Sequence, residues 1–195
     1  MKQEFLFLLY DLDRWAYSKN LPIYLIWLVL FIYPATWAVL IYRFGRIINM
    51  IPFKPLRYIL KMPYYILKRF ICETYLSVDI SDGAKIGPGF YIAHLGSIVV
   101  GTGVETGSNF SIRQGVTLGG SGNTGLSHPK VGDNVVLAAG SKVIGGVILG
   151  SNIIVGANSV VVKNIPNNAR VVGIPSKIIN YDGVYGIKIR DKWNY

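Results

Sequence analysis

Apolar residues recur every six positions over most of the second half of the chain. Counting from Ile80 gives Ile80, Ile86, Ile92, Ile98, Val104, Phe110 and Val116. Counting from Val131 gives Val131, Leu137, Val143, Leu149, Val155 and Val161. Gly or Ala often follows, as at Gly87, Ala93, Gly132, Ala138, Gly150 and Gly156. Neither a helical period of 3.6 nor a hairpin meander holds a phase of six for so long. The pattern predicts a parallel β-helix, in which each short strand turns one apolar residue inward and glycines serve the corners. The two runs are out of phase, because Val116 and Val131 are fifteen residues apart. A polar, Gly-rich loop over 118–130, carrying His128, is therefore expected to leave the coil, a usual place for binding or catalytic groups. The same loop contains Gly120, Gly122 and Gly125 in a G-x-G-x-x-G spacing, but no βαβ unit surrounds it, so a dinucleotide site is rejected.

The first 75 residues read differently. No charge falls between Lys19 and Arg43, a length that could span a bilayer, although Pro34 would kink a helix there. The alternative is a pair of apolar helices broken near Pro34. Lys54, Arg57, Lys61 and Lys68 follow at spacings that share one helical face, beside Ile59, Leu60, Tyr64, Ile66 and Leu67. Pro55 and Pro63 argue against one continuous helix. Such a segment suits an anionic membrane interface, and its bland alternative is a solvated basic face.

Charge sharpens this division. The chain of 195 residues carries a net +10. Residues 1–72 hold ten Lys/Arg against three acids, and residues 73–195 hold ten against seven. A basic excess interleaved with apolar residues favours a membrane surface over nucleic acid, and no nucleic-acid recognition motif is present. If residues 20–42 span a membrane, the positive-inside rule puts the C-terminal region at its cytoplasmic face. Cys72 is the only cysteine, so no intrachain disulfide forms. Two histidines and one cysteine make no metal-ligand spacing.

The stretches SIRQGVTLGGSGNTGLSHPKVGDNVVLAAGSKVIGG and VGANSVVVKNIPNNARVVGIPSKII closely resemble the serine acetyltransferase group of hexapeptide-repeat acyltransferases. The resemblance covers about residues 76–180. It implies a left-handed parallel β-helix, mainly β, behind an apolar and basic α-helical region at 1–75, with a tail at 181–195. It also implies a homotrimer with active sites in the clefts between neighbouring β-helices, and acetyl-CoA as acyl donor. By matching stretches, His94 would be the catalytic histidine and Asp79 the aspartate that orients it. His128 would line the acceptor site, and Gly119 and Gly120 would form the turn near the thioester. Ala139 and Ala157 would lie along the pantetheine arm, and Lys163 and Lys177 would meet the CoA phosphates. Arg113 receives no role. The chemistry suits these residue types. A neutral imidazole can take the proton of an attacking alcohol and return it to the leaving thiolate, while a carboxylate holds its tautomer.

Two departures bear on the acceptor. Serine enzymes carry an aspartate where this chain has Ala93, and an arginine where it has Ser127. Loss of both charges is expected to weaken binding of a zwitterion. With the apolar, basic N-terminus, this leads to the expectation of an O-acetyltransferase for a sugar hydroxyl in capsule, exopolysaccharide or lipopolysaccharide assembly. Its acceptor would be a carbohydrate or lipid-linked glycan at the inner face of the membrane. The alternatives are L-serine O-acetylation for cysteine synthesis and a non-catalytic β-helical, membrane-associated trimer.

Overall fold

The computed structural model describes residues 1–22, 28–122 and 127–183. Four α-helices come first: α1 (Lys2–Ser18), α2 (Leu28–Ile32), α3 (Ala35–Asn49) and α4 (Lys54–Leu67). A π-helical segment, Lys68–Tyr75, leads into the strands. The first coil runs β1 (Val78–Ile80), β2 (Lys85–Ile86), β3 (Tyr91–Ile92), and the second β4 (Ile98–Val100), β5 (Glu105–Thr106), β6 (Ser111–Ile112). The third runs β7 (Thr117–Gly119), β8 (Lys130–Val131), β9 (Val136–Leu137), and the fourth β10 (Lys142–Ile144), β11 (Ile148–Leu149), β12 (Ile154–Val155). β13 (Val160–Val161), β14 (Arg170–Val172) and the antiparallel β15 (Lys177–Asn180) close the stack.

Strands stack into three sheets, β1-β4-β7-β10-β13, β2-β5-β8-β11 and β3-β6-β9-β12-β14-β15, all parallel except the last pair. This is a three-sided solenoid of about four turns, consistent with the expected left-handed β-helix. Its interior is mainly apolar, with Ser141 and Ser159 also fully buried. Ile92, Ile112, Leu137, Val155 and Val171 form one fully buried column, and the Phe90 and Phe110 rings stack at 5.8 Å.

The register corrects the uninterrupted count of six. Val78 pairs with Ile98, twenty residues on, whereas Val99 pairs with Thr117, eighteen on. The first coil therefore holds two extra residues, and they fall in the corner between β3 and β4, which carries His94. Thr117 pairs with Lys142, twenty-five residues on, so the second insertion is seven residues. It lies between β7 and β8, where the loop was expected; residues 123–126 of that loop, Gly125 among them, fall outside the described part.

Corners are not served by glycine alone. Asn109, Asn134, Asn152 and Asn168 occupy one corner column, each with φ between 56 and 62°. Asparagine tolerates this left-handed conformation because its short side chain hydrogen-bonds locally. Here each amide donates to the next asparagine's Oδ1 at 2.9–3.0 Å, forming a ladder along the axis.

The helices pack on the open first coil. Tyr42 of α3 donates its hydroxyl to Ala84 O and accepts from Ile86 N. Arg43, fully buried, binds Asp11 through Nε (2.8 Å) and Nη2 (3.2 Å), and Glu4 through Nη1 (3.0 Å). It also donates to Ile86 O and Gly87 O, both at 2.6 Å. The adjoining carboxylates hold its charge firmly in place. Cys72 is buried, and burial pushes its thiol up to about 12.

Two N-terminal expectations change. Among the described residues no helix is long and apolar enough to cross a membrane. α2 ends at Ile32, before Pro34, and α3 begins at Ala35; residues 23–27 of the apolar run lie outside the described part. The basic face of α4 does not point wholly outward either. Lys61 binds Asp82 at 3.0 Å and Lys68 binds Asp79 at 2.7 Å, so both turn toward the first coil. Tyr58, Ile59, Met62 and Ile66 are left exposed.

Candidate active site

His94 stands on the two-residue insertion between β3 and β4, exposed, and no hydrogen bond or ion pair to its ring forms among the described residues. The corner column above it consists of Arg113–Gly115, Ala138–Gly140 and Gly156–Asn158. Backbone bonds link its levels, Gly115 N to Gly96 O at 2.7 Å, Gly140 N to Gln114 O at 2.8 Å and Asn158 N to Ala139 O at 2.8 Å. Ala139 and Ala157 therefore share an edge with His94, and their small side chains leave the backbone open to a ligand lying along that edge.

Asp79 sits on the outer face of β1, in register with Val99 of β4, the strand that the His94 corner enters. Its carboxylate accepts from Lys68 Nζ at 2.7 Å, and half of the side chain is exposed. Lys68 also lies 3.5 Å from Glu73, and its carboxylate partners raise its pKa against the opposing effect of burial.

Gly119 and Gly120 end β7 at the opposite edge of the same sheet. His128, half-buried, folds back onto that second edge, its ring against the backbone of Gly103 and Gly120. Ser127 lies over Gly146 in the coil above. Within one chain His94 and His128 thus lie at the corners on either side of the three-residue strand β4. Lys163 follows β13 on the His128 edge. Lys177 belongs to β15, and the turn before it packs by the His94 edge, with Ser176 N donating to Val160 O at 2.8 Å. The two lysines do not form one cluster. Among the described residues no group of three His, Cys, Asp or Glu could hold a metal.

Gly103 has a structural reason to lack a side chain. Its φ is +87°, and an added Cβ would lie 2.7 Å from His128 Nδ1. Gly103→Ala is expected to cost about 1–2 kcal/mol from the left-handed backbone alone. That corresponds to a melting point lower by roughly 2–8 °C, with displaced imidazole resonances of His128 in a histidine-labelled NMR spectrum.

Two sequence features bearing on this site were not anticipated. One is the two-residue insertion under His94. The other is Arg113, the residue just past β6, next to the Ile112 carbonyl that accepts from Ala93 N at 2.9 Å.

Residues 128–163 match the family described as bacterial transferase hexapeptide (six repeats). Serine acetyltransferase from Staphylococcus aureus (strain Mu50) is 46% identical over 115 residues, which are 58% of this chain and 54% of that protein. The serine acetyltransferase of Staphylococcus xylosus is 42% identical over 127 residues, 63% of this chain and 59% of that protein. The chain spans a little over half the length of these relatives. Among solved structures, serine acetyltransferase of Brucella abortus strain S19 in complex with coenzyme A superposes with a TM-score of 0.75 at 30% identity, covering 90% of this chain and 67% of that one. These findings overturn the sugar acceptor, and with it the glycan partner and the role in polysaccharide assembly, in favour of the serine alternative. The membrane face loses support as well, because two of the four basic residues on which it rested, Lys61 and Lys68, bind the first coil. Reading Ala93 and Ser127 as a lost amino-acid site weighed two positions by identity, whereas a cation for a carboxylate can come from another position in the fold. The six-residue register, the three-sided stack and the likeness along most of its length lead to one conclusion: this chain belongs to the hexapeptide-repeat family of bacterial transferases.

Proposed function

We propose that the chain is an acetyl-CoA-dependent O-acetyltransferase whose acceptor is L-serine. The observation that carries this is the 46% identity to a serine acetyltransferase through the coils, joined to an exposed histidine on the same corner column as Ala139 and Ala157. His94 takes the proton of the serine hydroxyl as that oxygen attacks the thioester carbonyl. A carbon–oxygen bond forms, the carbon–sulfur bond breaks, and the proton passes from the imidazolium to the CoA thiolate. Asp79 acts as a positioning residue for the imidazole, with Lys68 fixing the carboxylate. Ala139 and Ala157 admit the pantetheine arm along their edge, Gly119 and Gly120 adjoin the thioester, and Lys163 and Lys177 meet phosphates from different edges of the solenoid.

A trimer suits this division of residues. His94 and His128 lie on opposite edges of one sheet, so a cleft between two copies would join the His94 edge of one to the His128 edge of the next. His128 then lines the acceptor site, and the soft, exposed apolar side of α4 is available for packing between copies. The decisive experiment is thiol release from acetyl-CoA by the purified full chain with and without millimolar L-serine. Serine-dependent release with formation of O-acetylserine is the expected result. Release no faster than hydrolysis without acceptor would defeat the reading and favour a non-catalytic β-helix.

A further inference from the structure

A cavity of about 130 Å³ opens on the outer face of the third sheet, beside the His94 corner. Its wall includes Arg14 and Ser18 of α1, Tyr91 and Ala93 of the first coil, and Ser111 and Arg113 of the second. Two guanidiniums line it and, among the described residues, no carboxylate does.

Arg14 is nearly fully buried. It donates to Gly89 O, to Phe110 O at 3.3 Å and to Ser111 Oγ at 2.5 Å, all uncharged acceptors. Among the described residues it makes no ion pair within 4.0 Å, in contrast to Arg43, which has two carboxylate partners. Burial lowers the Arg14 pKa to about 10, against a partial upward pull from Asp11. A buried cation without a counter-ion is costly, and an anion placed against it relieves that cost. Arg113 is exposed and has no hydrogen-bond or ion-pair partner among the described residues. Its planar fork suits bidentate capture of a carboxylate. The space is that of about four waters, enough for a carboxylate and its α-carbon.

We propose that this cavity is the carboxylate subsite of the acyl acceptor, with Arg113 as the anion's direct partner and Arg14 as the buried charge behind it. This rests on the proposed acetyl transfer and deepens it. With no acid in the wall, the site reads the acceptor's carboxylate and not its amine. A small hydroxy acid lacking the amine should therefore serve as well as serine, and an amino alcohol lacking the carboxylate should not.

The test compares L-serine, glycerate and serinol on the full chain. Binding is followed by intrinsic fluorescence, since Trp15 packs on the cavity residue Tyr91 with ring centroids 4.5 Å apart. Glycerate and serine are expected to bind with similar affinity and serinol at least tenfold more weakly. Arg113→Gln should weaken glycerate binding by about tenfold, the loss of one charge-assisted hydrogen bond. Arg14→Lys keeps the charge and tests the buried partner without leaving Ser111 unmatched; a severalfold weakening is expected there. Serinol binding as tightly as glycerate, or glycerate binding unchanged by Arg113→Gln, would overturn the proposal. So would equal competition by sulfate and chloride, which marks a non-specific anion patch. Turnover kinetics separate the two readings. Arg113-dependent glycerate binding without any acetyl transfer would sink the enzymatic reading and leave the anion site. Serine turnover with a KM untouched by Arg113→Gln would do the reverse.

Discussion

Replacing His94 with Ala is expected to lower the rate of serine-dependent thiol release by about 10²- to 10⁴-fold, the usual contribution of a positioned proton acceptor. Because the ring is exposed and bonded to no described residue, the fold should hardly notice. Exposed substitutions of this kind stay within about 0.5 kcal/mol, so the melting point should move by about 2 °C or less. Coenzyme A binding, followed by calorimetry, should be unchanged, since the corner column of Ala139 and Ala157 is untouched. The combination separates chemistry from structure. A rate loss below tenfold would mean that another group takes the proton. A large fall in melting point would mean that the imidazole braces the corner.

Arg43→Met should have the largest effect on stability. Arg43 bridges two buried carboxylates, Asp11 and Glu4, and the first coil's carbonyls at Ile86 and Gly87. Removing it leaves both acids in the interior, Asp11 still accepting from Phe90 N at 2.7 Å and Glu4 from Arg46 Nε at 3.1 Å. Breaking one partner of a buried ion pair costs about 3–5 kcal/mol. For a chain of this size that is a melting point lower by roughly 6–20 °C, read by circular dichroism. Replacing all three residues by apolar ones of similar volume is expected to recover most of the loss, because the penalty belongs to the uncompensated charges and not to a missing attraction. If Arg43→Met melts within 2 °C of the parent, the network is not what holds α1 and α3 to the β-helix.

Both effects depend on positions whose meaning was unequally visible in the sequence. The hexapeptide count identified the inward column, and the mismatch between Val116 and Val131 identified the long loop. It passed straight through the insertion at His94. Side chains alternate along a strand with a period of two. An insertion of two residues therefore returns an inward position to the interior, and both Ile98 and Val100 are buried around the exposed Val99. An insertion of seven is odd, so it breaks the phase and can be seen. The same blindness hid the shortened last coil, where Val155 pairs with Val171, sixteen residues on.

The basic residues of the N-terminal region were misread for a related reason. A helical face can be listed from spacing, but spacing does not say what lies opposite. Lys61 and Lys68 meet Asp82 and Asp79 only because the π-helical segment brings α4 back along the first coil. Arg14 and Arg113 are ninety-nine residues apart in the chain, and nothing local marks them as neighbours of one cavity.

By itself the sequence determined the repeat, and so the parallel stack, its apolar inward column and the place of the extruded loop. These follow from short-range periodicity, which every coil restates. The tertiary structure alone decided which edge each residue occupies, which charges are paired, and which two arginines share a wall without an acid. Those depend on the exact length of each coil and on where α1 and α4 dock, and a chain folded through long-range contacts records neither in its local pattern.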